Sequence, residues 1–193
     1  MTEPGAGERL LQRALLTGSA GVRLRLRGGC MQPLLREGDW ATFCKAPLVL
    51  RPGALVLARL EEGELVCHRL LRSTASTVVL CGDAGSRSVA HPMSDVLGIA
   101  IRLERGSEIL RLDHSVSRRL DTGIAFLHRL SLRYGGSVCG RLLELARRAA
   151  LRGRCLSWRP ASKADFQSSL EPALGGASGE TQDRFRLVAR NPV

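Results

Sequence analysis

Between Gly21 and Leu112 short apolar runs follow one another with Gly, Pro or Asp at nearly every joint, and no stretch of helical periodicity separates them. A chain of this kind pairs its strands with near neighbours, so the expected fold is mainly β, built on a small antiparallel sheet. A doubly wound parallel sheet is excluded because it needs a helix after each strand. The runs are Val22–Arg27, Trp40–Cys44, Ala54–Arg59, Leu65–Leu71, Thr77–Cys81 and Val96–Leu103, with Ile109–Leu112 as a further candidate. In the first, Val22, Leu24 and Leu26 alternate with Arg23, Arg25 and Arg27, the period of a half-buried strand with its arginine face in solvent.

The flanking sequence has a different period. Residues 1–20 hold a short amphipathic helix over 8–16 and a linker; residues 21–112 form the β domain. Residues 113–157 read as a basic helical hairpin: Val116, Leu120, Ile124 and Leu127 make one stripe, Val138, Leu142, Leu145 and Ala149 another, and Tyr134–Ser137 breaks them apart. Arg118, Arg129 and Arg133 are expected on the outer side of the first helix, and Arg141, Arg148 and Arg152 on that of the second. Residues 158–193, rich in Ser, Gly, Ala and Pro without periodicity, read as a flexible tail.

Charge is distributed unevenly. Of the net +11 carried by the 193 residues, the hairpin has +6, from nine arginines against three acids. Such a field favours an anionic partner, and an anionic membrane surface is the candidate for the hairpin. Nucleic acid is disfavoured, since Phe126 and Tyr134 are the only stacking residues in those helices. The longest run free of Asp, Glu, Lys and Arg is the ten residues from Ser73 to Gly82, whereas a membrane span needs about 20 apolar residues, so no transmembrane segment is expected. The N-terminus lacks the charged-then-apolar order of a secretory signal, which points to a cytoplasmic protein with peripheral membrane attachment as a variant. Six cysteines stand singly, without metal-ligand spacing; at least four are expected to be reduced and buried, and no metal or cofactor is implied.

The first strand runs into Gly28-Gly29-Cys30-Met31-Gln32-Pro33, a sharp change of direction, and Leu34–Asp39 reads as one helical turn closing on Gly38. Downstream lie Arg51-Pro52-Gly53, then Leu65-Val66-Cys67-His68-Arg69, then Gly82-Asp83. In order and spacing these boxes resemble the peptidase family of type I signal peptidases and the self-cleaving domains of LexA-type repressors, over roughly residues 22–104. On that resemblance Cys30 stands at the nucleophilic serine, Met31 and Pro33 at the Met and Pro that follow it, and His68-Arg69 at the base-Arg pair. Gly38-Asp39 and Gly82-Asp83 fall on the two Gly-Asp boxes. Cys30 replaces serine, His68 replaces the lysine of bacterial members, and Ala54 follows Gly53 where an acid is usual.

The two substitutions suit each other chemically. A thiol with a reference pKa near 8.5 needs less help than a hydroxyl, and an adjacent imidazole takes its proton and stabilises the resulting ion pair. The resemblance therefore implies an endopeptidase acting on a peptide or precursor protein through a Cys30–His68 dyad. Backbone N–H groups of the Gly28-Gly29-Cys30-Met31 turn would hold the oxyanion, Met31 and Pro33 would line the substrate, and Asp83, or second to it Asp95, would orient His68. The alternative is an inactive member of the same fold that binds peptides. His91, His114 and His128 lie outside the boxes and read as surface or packing residues, and Cys67 as core.

Overall fold

The computed structural model describes residues 11, 13–15, 21–60, 64–85 and 87–162, and the description below concerns those residues. Nine strands form one sheet in which every pairing is antiparallel: β1 (Val22–Arg25), β2 (Trp40–Lys45), β3 (Leu55–Arg59), β4 (Leu65–Ser73), β5 (Thr77–Cys81), β6 (Ser88–Pro92), β7 (Val96–Arg105), β8 (Glu108–Arg111) and β9 (Arg159–Pro160). The strand order is β1-β2-β7-β3-β4-β5-β6, with β8 joining β7 to β9. Two helices follow the eighth strand, α1 (Ser115–Arg133) and α2 (Val138–Cys155). The fold is thus a mainly β core followed by a helical hairpin.

Burial explains the strand sequences. In β3, Leu55 and Leu57 enter the larger core cluster while Val56 and Ala58 enter a second one on the opposite face, so this strand reads as an unbroken apolar run. β1 is covered on one face only: Leu24 is buried and Arg23 and Arg25 are exposed, as the alternation requires. Leu11 and Leu15, four residues apart on a helical segment, pack into the larger cluster; residues 1–10, 12 and 16–20 lie outside the described residues.

Several expectations need correction. The helical turn after Pro33 lies earlier than expected, closed by the Leu35 N–H donating to Met31 O at 3.0 Å, and Gly38 belongs to a tighter turn in which the Asp39 N–H donates to Arg36 O. β6 has no apolar alternation because it is an edge strand with four of its five residues exposed. Arg159 and Pro160, expected in a tail, pair with Ile109 and Glu108 of β8; the remainder of that segment, 163–193, lies outside the described residues. Of the six cysteines, all free, three are buried, two are half-buried and Cys139 is exposed.

The hairpin departs most from expectation. The break falls at Tyr134–Ser137, where Ser137 Oγ accepts the Gly140 N–H at 3.0 Å and caps α2. Of the two apolar stripes, however, only Ile124 is buried; Val116, Leu120, Val138, Leu142, Leu145 and Ala149 are exposed. The helices bury polar residues instead, Ser117, Asp121 and His128 from α1 and Arg147 and Arg154 from α2. The six arginines expected on the outer sides are exposed. No helix among the described residues is long and apolar enough to cross a membrane.

Candidate functional site

Two segments 38 positions apart meet where Cys30 Sγ lies 3.2 Å from His68 Nε2. Cys30 sits just past the end of β1, on a turn that Gln32 N–H closes onto Gly29 O at 3.1 Å. Its carbonyl accepts the Ala84 N–H at 2.9 Å, and a Cβ on Gly82 would stand 2.6 Å from that carbonyl oxygen. Gly82 is therefore glycine because the chain leaving β5 runs against the backbone of Cys30. The Gly82-Asp83 box holds the thiol-bearing turn in place. His68 is fixed from the other side, mid-strand in β4 and opposite Val56 of β3.

Electrostatics set the resting state of the pair. Burial, reinforced by the negative charge of Asp83, pushes the Cys30 thiol up to about 11; its own backbone N–H acts in the opposite direction. Burial also presses His68 down to about 4, helped by His91 and opposed by Asp83. At neutral pH the pair is a thiol facing a neutral imidazole, not the ion pair expected from the residue types alone. The chief reason is desolvation, which disfavours the charged form of each group.

Asp83 does not orient His68. Both of its carboxylate oxygens are taken by Arg69, from Nε at 2.7 Å and Nη2 at 2.8 Å, with both side chains fully buried. Arg69 also donates from Nη1 to Gly53 O at 2.9 Å and to Asp121 of α1 at 3.0 Å. Arg154 of α2 binds the same Asp121, and Arg147 donates to the Asp83 carbonyl. Asp95, the second candidate, pairs with Arg59 at 3.1 Å. Neither acid hydrogen-bonds the imidazole; a buried guanidinium beside Asp83 is the stronger competitor because it offers two aligned donors to one carboxylate.

The remaining candidates divide. Gly28 and Gly29 are half-buried at the turn, and Pro33 is exposed, with its carbonyl accepting from Cys155 Sγ at 3.4 Å. Met31 is buried in the larger core cluster, so its side chain packs inward and is not exposed to line a substrate as expected. Cys67 is buried in the same cluster. His91 is buried on β6 and acts on His68 through its charge. Its strand is an exposed edge without apolar alternation, so periodicity offers no means of locating it. The buried roles of Asp121, Arg147 and Arg154 were equally hidden, since a charged residue on an amphipathic helix ordinarily faces water.

A second pair lies under α1. Cys81 Sγ is 3.2 Å from His128 Nε2 and within reach of the carbonyls of Arg87, at 2.9 Å, and Gly82, at 3.4 Å. Burial raises this thiol to about 12 and lowers His128 to about 4, with the charge of Arg147 adding to the latter. Among the described residues no group of three or more His, Cys, Asp or Glu side chains is placed to hold a metal ion. Compared with models of known protein families and with curated proteins, the chain matches none.

Proposed function

We propose that the protein is an endopeptidase of the signal-peptidase and LexA-like kind, acting on a peptide or protein substrate through Cys30 and His68. The observation that carries this reading is the 3.2 Å separation of Sγ and Nε2 across 38 residues of sequence. Because thiol and imidazole are both neutral at rest, proton transfer accompanies attack: Sγ bonds to the peptide carbonyl carbon as Nε2 takes the thiol proton. The imidazolium returns that proton to the leaving amine, and water then hydrolyses the thioester. The Cys30 N–H, with those of the Gly28-Gly29 turn, is the donor set offered to the oxyanion. With no acid among the described residues orienting His68, the enzyme is expected to be slow.

One observation favours a second reading, a peptide-binding protein without turnover: the thiol is held up to about 11, and among the described residues no carboxylate steadies its base. Incubating the full chain with a proteome-derived peptide library, and mapping new termini by mass spectrometry, separates the two. The peptidase reading expects cleavages that disappear in both Cys30→Ala and His68→Ala. Termini indistinguishable between the wild type and Cys30→Ala would overturn it in favour of binding alone.

A further inference from the structure

The outward face of α2 is an apolar ridge. Val138, Leu142, Leu145 and Leu156 are 76%, 62%, 61% and 87% exposed, and exposed Ala149 continues the same stripe at helical spacing. The ridge follows the 18-residue helix and its C-cap, roughly 27 Å at 1.5 Å per residue. It cannot be hidden by rolling the helix inward, because the opposite face is tied to the sheet and to α1 through Arg147 at the Asp83 carbonyl and Arg154 at Asp121. A monomeric protein in water rarely leaves so long an aliphatic surface uncovered.

Charge indicates what covers it. Arg141, Arg148 and Arg152 project along one border of the ridge, and all three are exposed. The hairpin's three acids are spoken for: Asp113 binds Arg111, Asp121 is buried between Arg69 and Arg154, and Glu144 binds Arg147 and Arg148. A second copy would bring two hairpins of +6 together, and residues 163–193 carry four basic and four acidic residues, so neither complements this field. The ridge is also purely aliphatic, without the aromatic anchors that concentrate binding energy at protein interfaces.

We propose that α2 lies flat in the interface of an anionic phospholipid bilayer, its aliphatic ridge at the acyl boundary and its bordering arginines against the headgroups. This surface is independent of the Cys30–His68 reading, and its test uses no activity. The full chain is sedimented with vesicles of phosphatidylcholine alone and of phosphatidylcholine mixed equally with phosphatidylglycerol, alongside Leu142→Glu/Leu145→Glu and Arg141→Glu/Arg152→Glu variants. Circular dichroism melts establish that the variants fold, as substitutions at exposed positions should. The expected result is binding to the mixed vesicles that falls on the order of tenfold or more in either variant and is weak on phosphatidylcholine alone. Absence of binding to mixed vesicles, or full binding by the leucine variant, would overturn the proposal. A wild-type dimer that the leucine variant converts to monomer, without vesicle binding, would assign the ridge to a second copy instead.

Discussion

Two thiol–imidazole pairs share this molecule, each with its sulfur and nitrogen 3.2 Å apart. In both, burial raises the thiol, to about 11 and about 12, and lowers the imidazole to about 4. Distance and protonation therefore do not distinguish them. Surroundings do: Cys30, itself buried at 6% exposure, stands on a turn flanked by half-buried glycines and an exposed Gln32-Pro33, with a half-buried histidine. Cys81 is 1% exposed at the end of β5, beneath a helix whose His128 is equally enclosed, and its sulfur lies against two backbone carbonyls. A dyad is defined by what can approach it as much as by its own geometry. The Cys81–His128 pair is a packing contact between sheet and hairpin.

The largest expected effect breaks the comparison outright. Cys30→Ala should reduce peptide cleavage to the level of the blank, while Cys81→Ala, if folded, should retain it; loss in both would mean that the buried pair takes part. Next in size is the network between them. Arg69→Ala strands the buried Asp83 carboxylate and leaves Asp121 with Arg154 alone, and should cost roughly 3–5 kcal/mol in denaturant unfolding. His68→Ala at the neighbouring position, which strands no charge, should cost far less, and similar costs for the two would remove the network from the account. Gly82→Ala forces a Cβ against the Cys30 carbonyl oxygen and should cost on the order of 1–3 kcal/mol, with a loss of activity exceeding that of the loss of folded protein.

The pH dependence sharpens the comparison. Both histidines have folded-state values near 4, below the ordinary 6.5, so the unfolded chain takes up protons first on acidification. Their stabilising contribution is complete above about pH 6.5 and is lost as the pH falls from there through about 4. Thermal melts should show this decline, and His128→Asn should flatten part of it; an unchanged profile in that variant would place its titration elsewhere. The smallest effect concerns thiol reactivity. Iodoacetamide should modify exposed Cys139 first and Cys30 only slowly, its rate still rising with pH well above 8.5, with Cys81 protected until unfolding. Rapid labelling of Cys30 at neutral pH would show that the ion pair exists at rest.

Much of the sheet could be read directly from the chain, because β2, β3, β4, β5 and β7 carry their own apolar runs between turn residues. β6 and β9 could not, since an exposed edge strand and a two-residue strand owe their pairing to neighbours and not to their own composition. Cys30 and His68 stood out by the order of the boxes around them. The partner of Asp83 is not legible in the sequence, because Arg69 sits next to the histidine and offers the carboxylate two donors.

The sequence by itself determined where most of the strands and both hairpin helices lie, that a thiol occupies a glycine turn, and that each hairpin helix has one apolar and one basic side. The tertiary structure decided which side of those helices faces the protein. Helical periodicity specifies that two faces differ, whereas the choice of the buried one depends on groups supplied from elsewhere in the chain. Here the sheet presents a buried guanidinium and carboxylate at Arg69 and Asp83, which Asp121 and Arg147 complete, and Arg154 then joins Asp121. Burying those charges together leaves none unpaired, and the aliphatic stripe is turned outward as a result.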